Sequence, residues 1–108
     1  MSKLSKVEKC IQKGKDEELA KLAQDKDLEV RLAAIAGLGK MSGKDTACNA
    51  LISMMTDPEP KIRAACAEAM GQLGDDRADT HLRYHLEQEK DPQAAQAMHS
   101  ALSALHHR

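Results

Sequence analysis

The chain of 108 residues has almost no aromatic side chains, with no Phe, no Trp and a single tyrosine, Tyr84. Its core must therefore be filled by Leu, Ile, Val, Met and Ala. That mixture favours helices, because Ala, Leu, Met, Lys, Glu and Gln lead the helix-propensity ranking whereas strands prefer β-branched and aromatic residues. The composition predicts an all-α fold and lacks the aromatic platforms on which single-stranded nucleic acids stack.

An excess of charge of one sign is also missing. The 16 basic and 17 acidic residues give a net charge of −1, so no global field attracts nucleic acid or an anionic membrane. No apolar run approaches the roughly 20 residues that a membrane span needs, and no signal-like apolar stretch follows Met1. We therefore expect a cytoplasmic protein whose partners include neither nucleic acid nor a membrane.

Reactive motifs are scarce as well. The three cysteines, Cys10, Cys48 and Cys66, lie far apart without metal-ligand spacing, which is typical of small core residues. The sequence contains no Gly-rich phosphate loop, no GxSxG elbow and no Cys/His nucleophile arrangement. We expect no catalytic residues and no cofactor, which favours a binding protein over an enzyme.

What the sequence does contain is an internal repeat with a period of about 32 residues, long enough to indicate stacked structural units. Sliding the sequence over itself by 32 residues aligns a first copy with a second. Sliding it by a further 32 residues gives a weaker third copy, in which Ala95 replaces a repeated Arg and Ser103 replaces a repeated Gly. The matched pairs of the first two copies include Asp25 with Asp57, Arg31 with Arg63, Leu38 with Met70, and Gly39 with Gly71.

Each copy predicts a pair of helices, because apolar residues at helical spacing are interrupted by one acidic or Pro-bearing turn and one Gly-bearing turn. Asp45 is expected to cap the first helix of the second copy. The predicted helices, seven in all with a leading one, span about 3–13, 16–24, 27–40, 45–56, 60–73, 77–89 and 92–106. They form a single domain, 1–108, with units at about 16–43, 44–75 and 76–108.

The most specific segments are residues 27–34, Asp-Leu-Glu-Val-Arg-Leu-Ala-Ala, and residues 57–65, Asp-Pro-Glu-Pro-Lys-Ile-Arg-Ala-Ala, followed by Leu38-Gly39 and Met70-Gly71. They resemble HEAT repeats of the short type known from phycobilin lyases, and the resemblance covers roughly residues 16–106. It implies an α-solenoid, a right-handed superhelical stack of about three helix pairs with a concave surface that binds a partner.

The second helix of each unit has one apolar side, which we call the core stripe, and the repeated arginines lie at its edge. In the first unit the stripe consists of Val30, Ala33, Ala34, Gly37, Leu38 and Met41. Arg31 and Arg63 each follow an acidic residue, Asp25 or Asp57, by six positions. We expect their guanidinium groups to bind turn carbonyls and the acidic turn of their own or the adjacent unit, as a structural ladder along the stack.

The residues opposite the core stripe would line the concave surface that the resemblance implies. Their side chains are mostly short or flexible, which suits a shallow groove for a peptide or helix better than a deep pocket. Leu32 is the one bulky apolar residue among them. The predicted binding residues are Glu29, Leu32, Ala36, Lys40, Lys61, Ala64, Glu68, Gln72, Gln96 and Ser100.

All histidines lie in the last copy, where His81 and His85 form an i, i+4 pair that could chelate a metal, with Glu89 as a third ligand. Two interpretations stay open, a metal site and an exposed titratable surface. The pair lacks the Glu of a zincin motif and matches positions expected to face outward, so we assign no metal. The remaining histidines are His99, His106 and His107.

Three functions stay open from the sequence. The first is a scaffold that binds a protein or peptide partner. The second, suggested by the resemblance, is an accessory or lyase-like subunit that helps to attach a prosthetic group to another protein. The third is a metal-responsive protein. End-to-end self-association also stays open, because the last unit keeps the apolar residues Ala94, Ala95, Met98, Ala101 and Leu105.

Overall fold

A computed structural model describes residues 2–106, which contain helices and no strand, so the prediction of an all-α solenoid is confirmed. A short 3-10 turn, Met54–Thr56, follows the fourth helix. The seven α-helices of these residues are α1 (Lys3–Lys13), α2 (Asp16–Leu22), α3 (Leu28–Leu38), α4 (Asp45–Ser53), α5 (Pro60–Leu73), α6 (Ala78–Gln88) and α7 (Pro92–His106).

Local sequence signals explain the helix ends. The Ser2 side chain accepts a hydrogen bond from the Ser5 amide at the start of α1, and Gly14 ends that helix in the left-handed conformation, with φ of 67°. Pro60 occupies the first turn of α5, where its missing N–H costs no hydrogen bond. These signals explain why the predicted bounds of α1 and α5 match the structure.

The predicted cap of α4 is wrong. Lys44 holds the capping position and makes no side-chain hydrogen bond there, while Asp45 is the first residue of the helix. A carboxylate in the first turn is still favoured by the helix dipole, and it also receives a hydrogen bond from Arg77 at 3.0 Å. The predicted helix over 45–56 ends instead at Ser53 and tightens into the 3-10 turn.

The helices form two layers with the core between them. One layer holds α2, α4 and α6, and the other holds α1, α3, α5 and α7. Each helix of the first layer packs on its successor in the chain, α2 on α3, α4 on α5 and α6 on α7. Fully buried side chains from both layers fill the space between them, and they include Leu19, Leu51, Leu82, Ile35, Met70 and Met98.

Two glycines set the spacing of the second layer. A Cβ atom added to Gly39 would lie 3.0 Å from the Cα of Ala69, and one added to Gly71 would lie 3.0 Å from the Cα of Ala101. Both residues of the second contact lie one repeat period after those of the first, so the same contact occurs twice. The repeated glycine is therefore the residue that lets α3, α5 and α7 approach one another closely.

All three cysteines are buried and unpaired, as the sequence predicts for small core residues. Cys66 is the most enclosed, and burial raises the pKa of its thiol to about 12. Such a thiol stays protonated and acts as a small apolar group in the core.

Candidate functional site

Arg31 joins its own turn to the next unit. Its Nε donates to the carbonyl oxygen of Ala23 at 2.6 Å, and its Nη2 donates to Oδ2 of Asp57 at 2.9 Å. The Arg31 and Asp57 side chains are each only 16% exposed. The contact therefore ties α3 to the turn that precedes α5, at one edge of the stack.

Arg63 repeats this arrangement one unit further on. Its Nη1 donates to the carbonyl oxygen of Asp57 at 2.8 Å, while its Nε and Nη2 donate to the two carboxylate oxygens of Glu89 at 2.7 and 2.8 Å. The paired guanidinium holds the pKa of Glu89 below its usual value. The sequence did not single out Glu89 for this contact, although it matches Asp57 under a shift of one repeat.

The acidic partners also organise the turns in which they lie. Asp57 Oδ1 accepts a hydrogen bond from the Glu59 amide at 2.9 Å, and Glu89 Oε2 accepts one from the Asp91 amide at 3.1 Å. Asp25, which the sequence placed beside Arg31, instead accepts a hydrogen bond from Lys3 Nζ at 2.8 Å. One carboxylate in each turn thus shapes the backbone and binds a cation from the preceding helix of the second layer.

The exposed side of α3, α5 and α7 carries two adjoining hollows, and we call this surface the groove face. The hollow between α3 and α5 has a volume of about 210 Å³, and the one between α5 and α7 about 200 Å³. Glu68 and Gln72 border both. The other lining residues are Leu32, Ala36, Ala65 and Ala69 in the first, and Gly71, Ala97, Ser100, Ala101 and Ala104 in the second.

Half of the predicted binding residues line these hollows, namely Leu32, Ala36, Glu68, Gln72 and Ser100. Leu32 is half-buried and packs partly on the core. Four others are exposed but line neither hollow, and these are Glu29, Lys40, Lys61 and Gln96.

The predicted exposure of Ala64 is wrong, because this residue is only 6% exposed. It matches Leu32 and Gln96 in the repeat, and its methyl group is too short to project from between the packed helices as those longer side chains do. Its neighbour Ala65 lines the first hollow instead.

Glu68 stands at the centre of the groove face. It is exposed, and its carboxylate makes no hydrogen bond or ion pair with any residue in the range 2–106. The repeat places Ala36 and Ser100 at the matching positions on either side. The middle of this surface therefore carries a negative charge surrounded by small side chains.

The histidine pair has no third ligand in place. His81 is exposed and His85 is half-buried. The pKa of His85 is lowered mainly by its burial and, to a smaller extent, by the neighbouring His81. Glu89, the expected third ligand, is held by Arg63. Across residues 2–106 no three His, Cys, Asp or Glu side chains form a group that could hold a metal ion, and His107 lies outside the described residues.

The apolar residues that suggested end-to-end stacking are not an exposed end. Ala94, Met98, Ala101 and Leu105 are all buried, and Ala95 is half-buried. They pack inside the last unit because α7 lies against both α5 and α6. The apolar end surface that the sequence suggested is therefore absent at these residues.

Paired helices in two layers, with the same glycine and arginine contacts repeated from one unit to the next, define an α-solenoid. The family model described as HEAT repeats matches residues 17–103, so the chain belongs to the HEAT-repeat family. A comparison with curated proteins found no significant match. None of the helices within residues 2–106 has the length and apolar character that crossing a bilayer requires.

Proposed function

We propose that the protein is a non-catalytic interaction module that binds a protein or peptide partner through the groove face. HEAT repeats generally mediate protein–protein interactions, and solenoids use their extended faces for binding. The observation that carries the proposal is the pair of adjoining hollows around the unpaired Glu68.

The shape and chemistry of the two hollows suit binding. Ala and Gly dominate their lining, so the backbone or small side chains of a partner can approach closely. Glu68 is the one ionisable side chain that lines either hollow. Neither of these two hollows therefore has the arrangement of a reactive site, in which several titratable groups meet in one cleft and a nucleophile or base is oriented by its neighbours.

Affinity capture with wild-type and variant protein tests the proposal. Leu32→Asp and Glu68→Lys alter the groove face, and Glu87→Lys makes the same charge change at an exposed site of α6. A partner that uses the groove face should be captured by the wild type and by Glu87→Lys, and lost from the other two. Its direct binding is then measured with both proteins purified. A partner retained equally by all four proteins would contradict the proposal.

A further inference from the structure

The leading helix α1 makes the same packing contact that later helices of its layer make. A Cβ atom added to Gly37 would lie 2.7 Å from Cγ1 of Ile11, which places these two residues against each other. In the next junction along the layer, Gly39 meets Ala69. The repeat already aligns Gly37 with Ala69. The two contacts therefore become equivalent if α1 is aligned with α3 so that Ile11 matches Gly39.

The ion pair at the start of α1 fits the same register. Lys3 binds Asp25 as Arg31 binds Asp57, with distances of 2.8 and 2.9 Å. The register that lays Ile11 on Gly39 also lays Lys3 on Arg31, and the repeat places Asp25 on Asp57. Two independent contacts therefore give one alignment of α1 with α3.

A short loop explains why α1 precedes α3 by less than the repeat period. Residues 14–15 join α1 to α2, whereas residues 39–44 join α3 to α4. The unit that contains α1 is thus shortened at its loop, while its helix keeps the contacts of a full repeat.

We infer that α1 is the second helix of a shortened repeat, that the groove face is four helices wide, and that it takes a peptide segment with an apolar anchor and basic side chains. This inference rests on the proposed function, since it names the partner of the same face.

The register shows what α1 adds to the groove face. Leu4 falls on Leu32, and it is one of the two large hydrophobic residues that are exposed within residues 2–106, with 41% of its surface accessible. Glu8 falls on Ala36 and so on Glu68. Two leucines thus hold matching positions on the neighbouring helices α1 and α3, where they line separate hollows, and two carboxylates share the middle row of the widened face.

The charge of that row favours a basic partner. Glu8, like Glu68, is exposed and has no hydrogen bond or ion pair with another described residue. Lys40 lies one helical turn from Ala36, and Lys61 lies two turns from Glu68, so neither cation falls in the row. A Lys or Arg of a partner placed there would meet a carboxylate, and beside Glu68 the hollows are lined mostly by small side chains.

The geometry also sets the spacing of the basic residues. Glu8 and Glu68 are separated by α3, and packed helices lie about 8–10 Å apart, so the two carboxylates are about 16–20 Å apart. That distance corresponds to about 5–6 residues of an extended peptide or about 11–13 residues of a helix.

Selection from a phage-displayed library of random peptides, each about 16 residues long and so able to span about 24 Å as a helix, provides the test. The selected peptides are then titrated against the wild-type protein and five variants. Glu8→Lys and Glu8→Lys/Glu68→Lys reverse one or both charges of the acidic row, and Leu4→Ser removes the added anchor. Leu32→Asp alters the groove face outside α1, and Glu17→Lys/Glu87→Lys makes matched charge changes on α2 and α6.

We expect enrichment of peptides that carry an apolar residue and two basic residues, the latter separated by about 5–6 residues in an extended peptide or by about 11–13 residues in a helix. The Glu8→Lys/Glu68→Lys variant should weaken binding by roughly tenfold, because each exposed ion pair contributes up to about 1 kcal/mol. Leu4→Ser should weaken it by several fold, and the matched control should change it least.

Three outcomes count against the inference in different ways. Peptides that are acidic or uncharged, or that bind the control and the acidic-row variant equally, would overturn the basic partner. Peptides whose binding is lost in Leu32→Asp but unchanged in Leu4→Ser and Glu8→Lys would leave the proposed function standing and overturn the role of α1. A library that yields no peptide bound at any of these residues would overturn both.

Discussion

Replacing Arg63 by Leu should destabilise the fold because it leaves the carboxylate of Glu89 without its cation. The Glu89 side chain is only 4% exposed and receives two hydrogen bonds from Arg63, which is 20% exposed. Removing one member of a fully buried ion pair costs about 3–5 kcal/mol, and because both residues of this pair are half-buried the expected cost is lower, at about 2 kcal/mol. For a domain of this size the melting temperature should fall by roughly 10 °C.

The loss should depend on pH in a defined direction. Because Arg63 holds the folded-state pKa of Glu89 below its usual value, the pair stabilises the fold above the unfolded pKa of a glutamate, about 4.3. That contribution disappears as the pH falls through the lower pKa of the folded state. The difference between wild type and Arg63→Leu should therefore be largest near neutral pH and shrink in acid.

Urea and thermal unfolding between about pH 3 and pH 7 measure both effects. Arg83→Leu is the matched control, because Arg83 is exposed and pairs with Asp79 on the same helix, and its midpoint should change little. A double-mutant cycle with Glu89→Leu should give a coupling energy of about 2 kcal/mol. Equal midpoints for wild type and Arg63→Leu, or a loss that is constant across this pH range, would refute the reasoning.

Gly71→Ala should cost about 1–3 kcal/mol in urea unfolding, because its Cβ would press on the backbone of Ala101, whereas Ser103→Ala at the matching exposed position should change little. Cys66 should not react with iodoacetamide at pH 8 until the protein is unfolded, because burial raises its thiol pKa to about 12; fast modification of the native protein would contradict this. Light scattering should show a monomer at high concentration, because Ala95 and Ser103 replace the arginine and glycine used at the inner junctions, and a dimer would count against this argument.

The repeat period made much of the fold predictable. It located the helix pairs, the glycines of the close contacts and the arginines that join the units. It did not give the partner of Arg31, which binds Asp57 of the next unit rather than Asp25 of its own, because that choice depends on how far the units are displaced in space.

Two features could not be read from that period. Lys3 and Glu8 were hidden because the short loop at residues 14–15 brings α1 into register at a closer spacing than the repeat period. The burial of Ala64 was missed because a helical wheel gives the direction of a side chain but not its length. Glu89 is different, since a shift of one repeat places it on Asp57 and could have identified it.

Mapping of backbone amide shifts in isotope-labelled protein, titrated with a partner or a selected peptide, tests the central claim most directly. Binding through the groove face predicts that the largest changes cluster at α3, α5 and α7, around Leu32, Glu68 and Ser100, and extend to Leu4 and Glu8 on α1. Changes concentrated on α2, α4 and α6, with the groove face unaffected, would contradict it.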